Sequence, residues 1–283
     1  MKFGIEEVRI RHIEGNYFKK IAEFGFEAAE YSLYDINDEI YSLSEEERRV
    51  KLLSIAEMAR EAKIEISQVH GPAHSQIDDK TEEGRAKRIE ITKTAIRACA
   101  YLGSENLVVH TFMSAGEDDA LKAEAVFALN KELFALLADY AADFGVTLCI
   151  ENMRQEKLSL GDPKEVVRLI DEIGKENVKM CFDVGHAIIF SKKIPLGDAI
   201  KLAGDRIACT HLHDNYGWVD VHLLPTVGAI NWDEVCAAFN EIKFDGTLSM
   251  DCSPNPKLPY ELFSSHALIY GKVANLLKEK FSV

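Results

Sequence analysis

Val178-Lys179-Met180-Cys181-Phe182-Asp183 is a short apolar run that ends on a carboxylate, and the chain holds three more built the same way. Leu148-Cys149-Ile150-Glu151-Asn152, Ala208-Cys209-Thr210-His211 and Leu248-Ser249-Met250-Asp251 each stop on a residue able to bind a hard or borderline metal ion. Side chains two apart on a strand point the same way. Glu151 therefore shares a face with Cys149, Asp183 with Cys181, His211 with Cys209 and Asp251 with Ser249. Set side by side, four such strands bring three carboxylates and an imidazole together above a layer of small side chains, which is the donor set of a metal site.

Working outward, short apolar runs alternate with longer amphipathic stretches. Strands are expected over residues 2–5, 28–33, 64–70, 106–111, 147–152, 178–183, 207–211 and 247–251. Helices are expected over 17–24, 45–62, 82–102, 119–144, 163–173, 196–203, 232–242 and 260–280. Ser44 with Glu47, and Asn231 with Glu234, fit capping boxes. Asp162-Pro163 supplies an N-cap followed by proline at the first helical position, where its missing N–H costs little. Gly25, Gly103, Gly145, Gly174, Gly204 and Gly246 punctuate the helix-to-strand returns, as left-handed C-terminal caps do. This strict alternation predicts an α/β fold, a single (β/α)8 TIM barrel occupying residues 1–283 as one domain. A doubly wound open sheet is the competing fold, but no GxGxxG or GxxxxGK[ST] phosphate loop follows any strand.

The totals fit a globular protein with a large core: 283 residues, 47% hydrophobic and 28% charged. A formal charge of −14 argues against nucleic acid as the main partner, because such proteins gain affinity from Lys and Arg on phosphates. The six cysteines show no CxxC pair and no disulfide-scaffold spacing, and they read as reduced core residues of a cytoplasmic protein. No apolar run approaches the ~20 residues of a membrane span.

In a barrel of this kind the active site lies at the C-terminal ends of the strands. From the third strand to the eighth those ends are His70, His110, Glu151, Asp183, His211 and Asp251, with His74, His186, His213, Asp220 and His222 close beyond. With His12, eight of the nine histidines fall on one rim, which favours a site over scattered surface imidazoles. Asp183-Val184-Gly185-His186 turns at glycine and can return a second ligand to the cavity. Asp220-Val221-His222 is a D-x-H pair whose side chains can point together.

The pieces IEN (150–152), FDVGH (182–186), HLHDN (211–215) and DVHLLPTVGAINW (220–232) resemble the xylose isomerase-like TIM barrels, especially their sugar phosphate isomerase/epimerase-like branch. That superfamily also takes in inosose dehydratase and the endonuclease IV type of apurinic endonuclease. The resemblance implies that Glu151, Asp183, His211 and Asp251 hold a divalent ion (Mn, Zn, Co or Mg). It further implies that Glu151 and Asp251 are the catalytic carboxylates of an isomerase or epimerase, acting on a small sugar or polyol through metal-stabilised enediolate chemistry. The isomerase and epimerase members usually have Glu at the last position, and Asp251 is one methylene shorter.

The endonuclease branch carries three zinc ions. Its ligand types match His70, His110, Glu151, Asp183, His186, His211, Asp220 and His222, so a second or third ion, or a role in substrate binding, is the alternative for that set. Zinc-dependent cleavage at abasic DNA is the competing activity, and a sugar dehydratase or lyase is a close neighbour of the epimerase. The acidic charge and the lack of long basic loops favour carbohydrate.

On the substrate side, Arg154 and Trp218 are the candidate contacts, and Phe112, Met113 and Phe190 are candidate apolar walls. Arg9, Arg11, His12 and Lys157 could hold an anion. Glu6, Glu7 and Glu156 beside them favour mutual pairing on a solvated surface, so no phosphorylated substrate is inferred. A homo-oligomer is compatible with the sequence, and no membrane association is expected.

Overall fold

The structure, a computed structural model, describes residues 1–73, 76–77, 80–112, 119–154, 159–190 and 192–281. Eight parallel strands run in the order β7-β6-β5-β4-β3-β2-β1-β8. They are β1 (Lys2–Glu6), β2 (Ala28–Ser32), β3 (Glu65–His70), β4 (Asn106–Val109), β5 (Thr147–Glu151), β6 (Val178–Asp183), β7 (Ile207–His211) and β8 (Thr247–Met250). The seam between β7 and β8 closes through a parallel bridge: Leu212 N–H donates to Ser249 O (2.8 Å) and Asp251 N–H to Leu212 O (3.2 Å). Lower down, the Thr210 hydroxyl takes the place of a ladder bond, donating to Thr247 O (3.2 Å) and accepting from Ser249 N (3.1 Å). The chain is a single (β/α)8 barrel, as the alternation predicts.

The helices are α1 (Tyr17–Glu23), α2 (Glu39–Ser42), α3 (Glu45–Glu61), α4 (Glu82–Tyr101), α5 (Asp119–Ala142), α6 (Pro163–Ile173), α7 (Val184–Ile189), α8 (Leu196–Ala203), α9 (Trp232–Glu241) and α10 (Tyr260–Phe281). Ser44 and Glu47 make the full capping box at α3, and Asp162 caps α6 ahead of Pro163. At α9 only half of the expected box forms. Asn231 accepts from Glu234 N, but the Glu234 carboxylate turns away to accept from Gly197 N at 2.8 Å. Gly246 is not the left-handed cap expected of it, because Lys243 takes that conformation directly after α9, with φ 56°. The short helices α2 and α7 have no counterpart in the sequence reading. For α7 the reason is local: the Asp183 carboxylate accepts from His186 N (2.6 Å), so helix starts at the residue where the strand stops. No helix among the described residues is long and apolar enough to cross a membrane.

Two apolar layers result. The larger lies between sheet and helices and includes Phe18, Phe134, Phe182, Phe239 and Phe263, all fully buried. The smaller is inside the barrel, where Val108, Cys149, Cys181 and Cys209 form a separate cluster. All six cysteines are unpaired and buried, and these three are barrel filler beneath the polar strand ends, as the two-residue alternation requires. Around the outside, α10 passes so close to the end of α1 that a Cβ on Gly271 would overlap the Phe24 carbonyl. Backbone cannot yield as a flexible side chain does, so Gly271→Ala is expected to destabilise the fold by about 1–3 kcal/mol in urea unfolding. An unchanged midpoint would show that α10 is not fixed at this crossing.

Candidate metal centre and substrate cavity

The four strand-end residues meet at one atom. His211 Nδ1 lies 3.5 Å from a Glu151 oxygen, 3.7 Å from Asp183 Oδ2 and 3.9 Å from Asp251 Oδ2. Glu151, Asp183 and His211 are almost fully buried, and Asp251 is 15% exposed toward the cavity. Nδ1 has no hydrogen-bond partner, while Nε2 lies 3.0 Å from the buried Glu30 carboxylate on β2. A carboxylate can only accept, so Nε2 carries a proton. Nδ1 faces three carboxylates, which with Glu30 favour a second proton there against burial, and the same atom would give its lone pair to a metal ion. Three anions gathered around one nitrogen in a buried space are mutually destabilising unless positive charge, a proton on Nδ1 or a metal ion, sits among them. The donor set therefore fits a divalent ion with mixed imidazole and carboxylate ligands.

Neighbouring residues hold this arrangement. Asn152, one residue past β5, prolongs the ladder with its side chain: its Nδ2 donates to Asp183 O (2.9 Å) and its Oδ1 accepts from Asp183 N (2.8 Å). Glu30 is itself held by Gln68 Nε2 and by Ser249 Oγ at 3.4 Å. His213 Nε2 lies 3.1 Å from Asp183 Oδ1. Gly185 makes room for that ring, since a Cβ there would overlap the imidazole of His213.

A wider ring surrounds the centre. His110 Nε2 is 2.9 Å, and His70 Nε2 3.8 Å, from the other Glu151 oxygen, Oε2. The Nδ1–H groups of His70, His186 and His222 donate to the carbonyls of Gly71 (2.9 Å), Asn152 (2.9 Å) and Asp251 (2.7 Å). That fixes their tautomers and turns each Nε2 toward a carboxylate. For His186 and His222 the carboxylate is Asp220, at 3.4 and 3.3 Å. Burial would push the Glu151 carboxyl up, but the charges of His211 and His110 and the bonds from His110 and His186 hold it well below its usual range. Burial likewise works against a charged His222, yet Asp251 and Asp220 push it up to about 12. The site thus holds positive charge tightly, and protons and metal compete for the same atoms.

The sequence-predicted residues divide accordingly. Glu151, Asp183, His211 and Asp251 converge, and His70, His110, His186, Asp220 and His222 ring them. They line, or lie directly beneath, a cavity of about 600 Å³, within the ~300–1,000 Å³ usual for small-molecule sites. Arg154 reaches the mouth, where it pairs with Asp220 at 3.0 Å. Trp218 is not brought to the cavity wall; it is 78% exposed and stacks on Tyr216. His12 packs edge-on to Phe263 outside the cavity, and Arg11 is bound by Glu7 and Asp38. Phe112 and Phe190 are core residues. His74, Met113, Glu156 and Lys157 lie outside the described residues.

Sequence reasoning missed Glu30, Gln68 and Glu6. Glu30 had a signal, a carboxylate in the middle of the apolar strand Ala28–Ser32. Glu6 ends β1 beside Asp251, and burial, then the charges of Asp251, Glu30 and Glu7, push its carboxyl up to about 8.

A family model described as "Xylose isomerase-like TIM barrel" matches residues 18–267. An uncharacterized protein of Methanocaldococcus jannaschii is 29% identical over 258 residues, covering 89% of this chain and 83% of its own length. A D-psicose 3-epimerase of Agrobacterium fabrum is 26% identical over 241 residues, 84% of this chain and 78% of the enzyme. Among solved structures, D-psicose 3-epimerase with D-tagatose from Clostridium cellulolyticum superposes with a TM-score of 0.77 at 17% identity, covering 99% of both chains.

Two outcomes are expected. Glu30→Gln frees the His211 tautomer and should weaken zinc binding about 10–100-fold in competition titrations; unchanged affinity would leave Glu30 a packing residue. For Glu6 the folded protein keeps a proton that the unfolded chain loses near 4.5, so stability falls as pH rises from there toward about 8. Glu6→Gln removes that penalty, so in chelator the variant should exceed the parent by about 1 kcal/mol or more at pH 8, and match it near pH 4.

Proposed function

The chain belongs to the xylose isomerase-like TIM-barrel family, and from that premise we propose a divalent-metal-dependent isomerase or epimerase of a small sugar or polyol. The convergence of Glu151, Asp183 and Asp251 on the unpartnered Nδ1 of His211, beneath a cavity of sugar size, carries the proposal. The likeness to sugar 3-epimerases in sequence supports it. A divalent ion held by Glu151, Asp183, His211 and Asp251 would supply Lewis-acid polarisation of adjacent substrate oxygens.

The chain's own groups do the rest. Glu151 stays ionised in the neutral range and takes the carbon-bound proton as general base. Asp251 faces the cavity from another side. Against burial, His211 and His222 hold its carboxyl well below its usual range, so it is ionised and must first take up a proton from solvent at the cavity mouth before returning it to the substrate carbon. His186 and Arg154 contact substrate hydroxyls from the wall between them. Because Asp251 is one methylene short of the family's usual Glu, its reach to a substrate carbon is the weakest link in proton transfer.

A second reading has its own observation. His70, His110 and Glu151 form one further ligand group, and His186, His213, Asp220 and His222 another, each with its ligand atoms within 4.8 Å of one another. Two or three zinc ions there would suit phosphodiester hydrolysis, including cleavage at abasic sites. The charge of −14 weighs against a DNA substrate.

Ketohexoses incubated in D₂O with metal-loaded protein should take up deuterium at the epimerised carbon. Glu151→Gln should lower the rate at least ~10³-fold, and Asp251→Glu should raise it about tenfold or more. No uptake with any ketose at one bound ion per chain would sink the epimerase reading. A clean nick in a labelled abasic duplex at two or three zinc ions per chain would put hydrolysis in its place.

A further inference from the structure

Among the described residues, the arginines near the cavity mouth are engaged except one. Arg11 is engaged by Glu7 and Asp38, and Arg154 by Asp220. Arg9, in the loop after β1, lines the cavity and is exposed at its mouth, and among the described residues it makes no hydrogen bond and no ion pair. Its charge is felt at Glu6, Cys252 and Tyr270. That places it at the seam where the loop after β1 meets the loop after β8.

Ser253 stands on the same seam. Its side chain lines the cavity and only 8% of the residue is exposed, yet its Oγ has no hydrogen-bond partner. The backbone beneath it is fixed, since the Tyr270 hydroxyl donates to Ser253 O at 3.3 Å. A buried hydroxyl left unmatched is costly, and next to it stands a cation with no described carboxylate within ion-pair distance, so that an anion would match both. Loops after the last barrel strands are also where (β/α)8 barrels often seat phosphate groups.

We propose that Arg9 and Ser253 form a subsite for an anionic group at one end of the substrate, so that the sugar acted on carries a terminal phosphate or carboxylate. This rests on the sugar reading of the cavity given above. The remaining wall is acidic: Glu151 and Asp251 converge on His211, Asp220 faces Arg154 and two histidines, and Glu6 lies beyond ion-pair distance of Arg9. A neutral sugar needs no cation at such a mouth. An acidic one, entering an acidic cavity in a protein of charge −14, does.

The test is calorimetric titration of the metal-loaded protein with D-fructose, D-fructose 6-phosphate and D-fructuronate. At least one anionic ketose should bind about tenfold or more tighter than fructose, and which of the two leads identifies the group. The ratio of anionic to neutral affinity should fall toward one in Arg9→Ala, recover in part in Arg9→Lys, and drop about threefold or more in Ser253→Ala. Equal affinities in the parent protein would overturn the subsite. So would a ratio untouched by Arg9→Ala, which would mean that Arg9 only balances charge or that the metal holds the anion. Because binding is read without turnover, an Arg9-dependent preference with no deuterium uptake would remove the epimerase reading and keep the subsite. Uptake by fructose with no anionic preference would do the reverse.

Discussion

Three carboxylates drawn to one imidazole nitrogen in a buried space form the constraint on which the rest of the rim depends. Glu151, Asp183 and Asp251 stand 3.5–3.9 Å from His211 Nδ1, and no packing force would assemble them there. Their placement follows from strand register, which sets Asp183 opposite His211, Glu151 opposite Cys181, and Met250 opposite Leu212 across the seam. What remains is to keep these groups apart from one another and correctly protonated. Glu30 fixes the tautomer, Asn152 ties the ends of β5 and β6, and Gly185 leaves room for the imidazole that braces Asp183. Each acts on geometry, and together they hold a charge arrangement that would otherwise spread or protonate.

The supporting loops follow the same logic farther out. Asp214, after β7, accepts from Asn215 N, Thr226 N, Ile230 N and Trp232 Nε1 at 2.9–3.1 Å. One buried carboxylate thereby folds the long loop that carries Asp220 and His222. Gly228 permits this, because a Cβ would collide with that carboxylate and with the Asn215 carbonyl. The motif run 211–232 is therefore mixed in purpose: His211, Asp220 and His222 face the site, while Asp214, Gly228 and Trp232 position them.

The fold and the residues that converge at the strand ends were legible in the sequence because both follow from local period. An apolar run of period two that stops on Glu, Asp or His announces a strand and its exposed end together, and the cysteine layer below Glu151, Asp183 and His211 follows from the same count. What was not legible depends on partners distant in sequence. Glu30 acts on His211 across 181 positions, and nothing in Ala28–Ser32 says which strand faces it. Arg9 and Arg11 look alike in sequence, and only the fold shows that Glu7 and Asp38 close on the second. Trp218 lies off the cavity wall for the opposite reason: a residue type suited to sugars sits in a loop that turns it to solvent.

Glu151 ties the number of ions to the chemistry. One of its oxygens faces His211 and the other faces His110 and His70. With a single ion at the His211 centre, Oε2 keeps only its bond to His110 and remains available to a substrate proton. With a second ion among His70, His110 and Glu151, both oxygens become ligands and the base is lost. On the proposed reading, proton abstraction and binuclear hydrolysis would thus be competing uses of one carboxylate. Metal occupancy would decide between them, and an ion at the second position would have to displace the 2.9 Å bond from His110.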